Sequence, residues 1–314
     1  MPRAIMPHYE TQYLELMARV WRDGDPRTIA RGLARRSLFG EQLQFDLTDG
    51  RVPLLTTKRV YWKTAARELL WFLTGNTNIR PLLQQGVTIW SDWPLAKYRA
   101  ATGEDITQEA FETRVCDDAH FAARWGDLGP VYGKQWVDWP VYTPVDGSDD
   151  LYRRGDGINQ LAALVSSLRD NPGSRRHLFT GWNVAELGAM ALPPCHMTYQ
   201  FHVSSTGGLS CLLFQRSCDV ALGLPFNLFA AALLTAMLAQ QTGLTPARLT
   251  WSGGDVHLYQ NHAALVEEQL SRTPSGDPRL QLARHPASLF DYAIDDFVVT
   301  DYAPQSAIRA PVAV

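Results

Sequence analysis

The chain has no internal repeat and no low-complexity stretch, which sets repeat architectures and linker-rich arrangements aside. Cysteine is scarce: Cys116, Cys195, Cys211 and Cys218 are the only four, and none is paired at a metal-ligand spacing. No His-Glu-x-x-His occurs, and His257 and His262 lie five apart, so a metal site is disfavoured. Gly129 to Lys134 is too short for a phosphate loop and has Gln135 where Ser or Thr is required, and a dinucleotide fingerprint is lacking. A net charge of −3 gives no general attraction to nucleic acid or to an anionic membrane. Arg35-Arg36 and Arg153-Arg154 are too short for a nucleic-acid patch and read as solvated pairs. Met1 to Tyr9 lacks the apolar core of a signal peptide, so a cytoplasmic protein with reduced thiols is expected.

What is present is a large core: 46% of the 314 residues are hydrophobic and 19% charged. Val220 to Ala247 carries no charge at all. Its helical part, read as Leu228 to Gln241, would span ~21 Å, short of a ~30 Å bilayer core, so a buried central helix ending before Gly243 is predicted. Amphipathic spacing predicts helices over Tyr9–Asp23 and Asn261–Arg272, and further helices are read over the almost wholly apolar Thr64–Thr74, ended by Gly75, and over Leu161–Leu168, stopped by Asn171-Pro172-Gly173. Strands are predicted at Leu38–Leu47, Arg248–Trp251 and Phe297–Val299, and as a hairpin, Met197–Val203 and Leu209–Phe214, about the turn at 204–208. Residues 94–125 are more charged and read as a small helical insertion, with a helix around Gln108–Arg124. Trp139 to Gly157 reads as a polar surface loop. Strand and helix mixed without regular alternation predict an α+β fold, a mixed sheet flanked by helices, in a single domain over 1–314.

Chemistry concentrates between Met190 and Asn227. Cys195 follows Pro193 and Pro194, which stiffen its approach and stop a helix. The predicted hairpin returns Arg216 and Ser217 towards it, and a guanidinium beside a thiol favours the thiolate, the form that attacks. The plain alternative is a buried structural cysteine, as Cys211 and Cys218 are read to be. Glu68 lies in a nearly all-apolar helix, where burial raises its pKa towards neutrality and suits it to proton transfer; an ion pair with Arg67 is the competing reading. Arg175, Arg176 and Arg216 are forks suited to a phosphate dianion, although neighbours on a strand point to opposite faces, and a solvated pair at 175–176 is the alternative.

Pro193-Pro194-Cys195-His196, Gln215 to Asp219, Gly223 to Asn227 and Gly254 to His262 occur in an order that resembles the folate-dependent thymidylate synthases. Leu54 to Arg59, Glu68 to Phe72, Gly129 to Gly133, Ser174 to Arg176 and Ala310 to Val314 extend the resemblance over most of the chain. The resemblance implies methylation of dUMP to dTMP with 5,10-methylenetetrahydrofolate as donor of both carbon and hydride, and no metal, nicotinamide or flavin. In that scheme Cys195 adds to C6 of the pyrimidine, and C5 captures the one-carbon unit. Loss of the C5 proton expels the folate, and hydride transfer leaves a methyl group and dihydrofolate. Glu68 orders water and assists proton transfer, Tyr132 assists removal of the C5 proton, and Arg216 and Ser217 bind phosphate. Arg175 and Arg176 reach the phosphate of a partner subunit, which implies a homodimer.

Asn227 reads the base, since an amide matches the N3–H and O4 of uracil, and a flipped amide presents the cytosine pattern instead. By the resemblance His257 and Tyr259 hold the sugar 3′-hydroxyl, and Asp219 the pterin. Trp90, Trp93, Leu192, Gly223 and Phe226 line the folate cleft, and Ala313 belongs to a C-terminal segment that closes over it. Three departures stand out: the N-terminal phosphate loop keeps only fragments, leaving Arg27 and Arg31 as candidates; Ser91 replaces an aspartate; and Ala230-Ala231 replaces a more polar pair. A nucleotide hydroxymethylase, with water instead of hydride capturing the methylene, and a catalytically silent nucleotide-binding or RNA-binding regulator are the alternatives.

Overall fold

The uncharged stretch after Asp219 becomes the axis about which a computed structural model of the protein is built; the structure describes residues 8–28, 33–148 and 150–310. Ten helices occur among these: α1 Thr11–Asp23, α2 Trp62–Leu73, α3 Arg80–Leu83, α4 Asp92–Thr102, α5 Gln108–Asp117, α6 Ala119–Trp125, α7 Gly133–Val137, α8 Gln160–Asp170, α9 Gly223–Thr242 and α10 Ala263–Leu270. The strands are β1 Asp25–Thr28, β2 Ala34–Asp46, β3 Tyr142–Pro144, β4 Tyr152–Arg154, β5 Leu178–Thr180, β6 His196–Val203, β7 Gly208–Asp219, β8 Thr245–Tyr259, β9 Arg279–Leu282 and β10 Phe297–Thr300. Six of them form one sheet in the order β1-β2-β8-β7-β6-β5. Every pairing is antiparallel except β7 with β8, which run parallel because α9 carries the chain between them. The sheet is mixed and helices flank it, the predicted α+β arrangement.

Helix α9 is longer than its sequence suggested. Gly223 and Pro225 do not interrupt it but occupy its first turn, where a missing proline N–H leaves no helical bond unmade. At 20 residues it spans ~30 Å, so length no longer argues against a membrane. Burial does: most of the helix is packed inside the protein, against β7, β8 and α2. A helix apolar around its whole circumference belongs in such a place. Gly243 ends it in the left-handed conformation, φ 70°, as predicted.

Two other expectations change. The helix read over Gln108–Arg124 is two helices, broken at Asp118, whose carboxylate accepts from the backbone N–H of His120 and Phe121 and so caps α6. Residues 92–125 close on their own aromatic cluster, Tyr98 against Phe111, Phe121 and Trp125 at 5.1–5.7 Å. The loop read at 139–157 contains an exposed hairpin, β3 with β4, anchored by two bonds from Arg154 to Asp138.

On β7 the side chains of Leu209, Cys211, Leu213 and Gln215 enter the core, while Leu212 and Phe214 lie exposed on the other face. The pairing of β6 with β7 slips at Met197, so that His196 stands opposite Gln215 and Thr198 opposite Phe214. Such a bulge re-aims the chain beside it, here the residues around Cys195.

Candidate active site

Cys195 sits at the mouth of β6, half-buried, held from both sides through its backbone. Its N–H donates to the Tyr132 hydroxyl at 2.7 Å, and its carbonyl accepts from the N–H of Arg216 at 3.0 Å. The Arg216 guanidinium donates through Nε to the Pro194 carbonyl at 2.9 Å and through Nη2 to that of Pro193 at 2.6 Å, and lies 5.3 Å over the Trp182 ring. The two prolines offer carbonyls and no N–H, so the arginine clamps the loop that presents the thiol. The hairpin therefore brings Cys195 and Arg216 together as predicted.

The thiol itself differs from expectation. Burial pushes its pKa above the usual thiol value, and the opposing pull of Arg216 and then of the Tyr132 hydroxyl does not overcome it. With two guanidinium donors spent on backbone carbonyls, Arg216 is not a dedicated thiolate partner. Alkylation of Cys195 by iodoacetamide is accordingly expected to be slow at neutral pH and still rising at pH 9, the ordinary thiol value. A rate that levels off below pH 7.5, measured by mass spectrometry of the Cys195 peptide, contradicts this.

Glu68 on α2 is buried, and desolvation lifts its carboxyl to about 7, offset in part by a hydrogen bond from Trp90 Nε1 at 2.7 Å. The burial and the raised pKa are those expected from the sequence, and among the described residues Arg67 makes no ion pair with it. Tyr132 is fully buried, with its ring stacked on Phe72 at 4.8 Å and at φ 26°, a value that tyrosine rarely adopts. The neighbouring Gly133 explains how that turn fits: a Cβ there would stand 2.1 Å from the Phe72 carbonyl oxygen.

Asn227 lies one turn into α9, and its Oδ1 accepts from Gln215 Nε2 at 2.9 Å. Gln215 cannot be turned around, because its own Oε1 accepts at 2.9 Å from the indole N–H of Trp251, which can only donate. The chain Trp251→Gln215→Asn227 therefore holds the Asn227 amide in one orientation, which sequence alone left open. His196 is within hydrogen-bonding reach of Asn227, its pKa lowered by burial to about 4, so the ring is neutral. Neither Gln215 nor His196 was singled out by sequence reasoning, although both lie inside the motifs; the signal that finds them is the indole donor, which only the packing reveals.

His257 and Tyr259 point to the same face of β8, rings 5.2 Å apart, and Ser217 and Asp219 stand in register with Asp255 and His257. Asp219 Oδ1 accepts from the N–H of Ala221 at 2.8 Å and of Leu222 at 3.2 Å, fixing the turn that leads into α9. Trp90 packs against Trp93 at 5.3 Å, and Trp93, Leu192, Gly223 and Phe226 are each half-buried. Lys58, unremarked in the sequence, is buried close to Asp219, its pKa brought down by burial to about 8.

Arg175 and Arg176 do not join this group. They lie exposed in the turn before β5, not on a strand, and neither guanidinium pairs with another side chain among the described residues. Arg27 is exposed on β1 and pairs with Asp25 at 2.8 Å, whereas Arg31 and Ala313 lie outside the described residues. Arg35, read as solvated, is not: its side chain is 19% exposed and bonds Asp255 at 2.8 Å. Among the described residues no three His, Cys, Asp or Glu side chains gather as a metal site.

A thiol presented by a clamped loop, a carboxyl poised near neutrality and an oriented amide are the kinds of group that nucleophilic and acid–base chemistry needs. The family model for thymidylate synthase matches residues 11–314. The chain is 67% identical to the thymidylate synthase of Sphingopyxis alaskensis over 308 residues, 98% of each protein. It is 66% identical to that of Novosphingobium aromaticivorans, over 98% of this chain and 97% of the relative, and 54% identical to that of Zymomonas mobilis, over 97% and 99%. The chain belongs to the thymidylate synthase family. The hydroxymethylase alternative gains no support from these relatives.

Proposed function

We propose that the protein methylates dUMP to dTMP, taking both the one-carbon unit and the hydride from 5,10-methylenetetrahydrofolate and releasing dihydrofolate. The observation that carries this reading is the juxtaposition of the Cys195 thiol, the Arg216 clamp and the Asn227 amide held by Gln215. In it Cys195 Sγ bonds to C6 of the uracil. Asn227 donates through Nδ2 to O4 and accepts N3–H at Oδ1, which has a lone pair left after Gln215. Glu68, half-ionised near pH 7, orders water beneath the ring and moves protons to and from O4 and C5. Tyr132 keeps its phenolic proton, its pKa driven far up by burial, and assists the C5 step by ordering water. His257 and Tyr259 hold the sugar, Arg216 and Ser217 the phosphate, and Asp219 with the apolar rim of Trp90, Trp93, Leu192, Gly223 and Phe226 the folate.

The active unit in this proposal is a homodimer, and each chain one domain, in the cytoplasm. The sheet face bearing Leu178, Leu212 and Phe214, respectively 45%, 37% and 39% exposed, supports the dimer. Arg175 lines a cavity of about 370 Å³ on that face with Gln200, His202, Leu212 and Thr250, where it would meet a second copy. Phe214→Asp is expected to give a monomer by light scattering and to cost at least about 100-fold in turnover, since burying an unpaired carboxylate disfavours the interface.

Release of tritium from C5-labelled dUMP together with the absorbance of dihydrofolate tests the reading; product formed without dihydrofolate overturns it. Asn227→Asp is expected to reverse the base preference, shifting the dUMP to dCMP ratio of kcat/KM by roughly 100-fold or more, because a carboxylate has no N–H for O4 of uracil but can accept from the 4-amino group of cytosine. Parallel assays with both nucleotides decide that.

A further inference from the structure

The sheet face that carries His257 and Tyr259 continues onto β2, where Arg35 stands in register with Tyr259 and Ser37 with His257. Arg35 Nη2 donates to Asp255 Oδ2 at 2.8 Å, and Asp255 Oδ1 lies 2.9 Å from His257 Nδ1. Register partners and alternate residues along a strand share a face, so arginine, aspartate and histidine form one chain of contacts on the site side of the sheet. None of these contacts is at the surface in the ordinary sense: the His257 side chain is 5% exposed, that of Arg35 19% and that of Asp255 32%. Asp255 is held below the usual carboxylate range, first by the His257 hydrogen bond, with Arg35 and Arg27 adding to it against desolvation.

A carboxylate accepts and cannot donate, so the proton between Asp255 and His257 sits on Nδ1. When uncharged, a ring with that tautomer presents Nε2 as a lone-pair acceptor, the partner that a hydroxyl donor needs. A lone carboxylate on a sheet can swing between rotamers. A guanidinium on its second oxygen removes that freedom and with it the alternative tautomer of the ring.

We infer that Arg35 is a positioning residue for sugar recognition: through Asp255 it locks His257 with Nε2 ready to accept the 3′-hydroxyl of the nucleotide. The inference rests on the nucleotide reading proposed above. Arg35 touches the carboxylate and not the substrate, so its loss removes one well-aligned hydrogen bond, worth about tenfold in affinity.

Calorimetric titration of dUMP and of its 2′,3′-dideoxy analogue separates this role from a general one. The wild type is expected to prefer dUMP by about tenfold. Arg35→Gln should bind dUMP about tenfold more weakly and the dideoxy nucleotide unchanged, abolishing the preference, with the loss in KM and not in kcat. Its His257 nitrogen resonances should move from a single Nδ1–H tautomer towards a mixture. Arg35→Lys should recover part of the preference, and Asp255→Asn, which cuts the chain at its middle link, should reproduce the loss should Arg35→Gln fold poorly. Equal weakening of both nucleotides by Arg35→Gln, or of neither, overturns the inference while leaving the nucleotide site intact. A wild type that binds both nucleotides alike overturns the assignment of His257 to the sugar and this inference with it, and one that binds neither overturns the nucleotide reading itself.

Discussion

Cys195→Ser is expected to lower turnover of dUMP at least about 10⁴-fold while leaving dUMP affinity within a few-fold of the wild type. A serine hydroxyl keeps the size of the side chain and every backbone bond that Cys195 makes to Tyr132 and Arg216. It does not ionise in the accessible range, so addition at C6 is lost and nothing else is. Because the thiol pKa is already raised by burial, the sulfur is protonated in the ligand-free protein, and its proton has to leave as the bond to carbon forms. The barrier is thus sensitive to the nucleophile to an unusual degree. Tritium release in a single turnover, read beside dUMP binding, checks the result. Residual turnover within 100-fold of the wild type would show that the bond-forming atom lies elsewhere.

Glu68→Gln carries the second large effect, a fall in kcat of roughly 10²–10³-fold, with loss of the ionisation near neutral pH from the rate profile. Glutamine accepts the Trp90 N–H as glutamate does, so the cluster of rings about it is kept while the mobile proton is not. The same substitution has a stability signature of definite sign. The folded-state pKa of about 7 lies above the ordinary 4.5, so the native state binds the proton more tightly than the unfolded chain does. That contribution is fully present below pH 4.5 and lost as the pH rises through 7. Glu68→Gln should therefore gain on the wild type by about 3 kcal/mol between acid and pH 8, seen as a melting temperature higher than the wild type's at pH 8 but not at pH 4. Equal melting temperatures at both pH values would mean that the carboxyl is solvated.

The central helix shows how far a linear reading goes. Its apolar, uncharged composition declared a buried element, and Gly243 marked its end. The start was misplaced because Gly223 and Pro225 weigh against a helix in isolation, whereas a proline in the first turn costs nothing, since the N–H groups there have no helical acceptor. In the same way Asp118 breaks a helix that periodicity ran together, since its side chain finds backbone N–H groups to cap.

The motifs determined the family and pointed to the Cys195 thiol, the Glu68 carboxyl near neutrality and the Asn227 amide as its candidate groups, because these depend on which functional groups are present and on short spacings within hairpins and turns. Tertiary structure alone decided that burial outweighs Arg216 at the thiol, that Trp251 orients Asn227 through Gln215, and that Arg35 pairs with Asp255 on the face of His257 and Tyr259 instead of with solvent. Each of those outcomes turns on strand register or on desolvation, and both are set by residues far away along the chain.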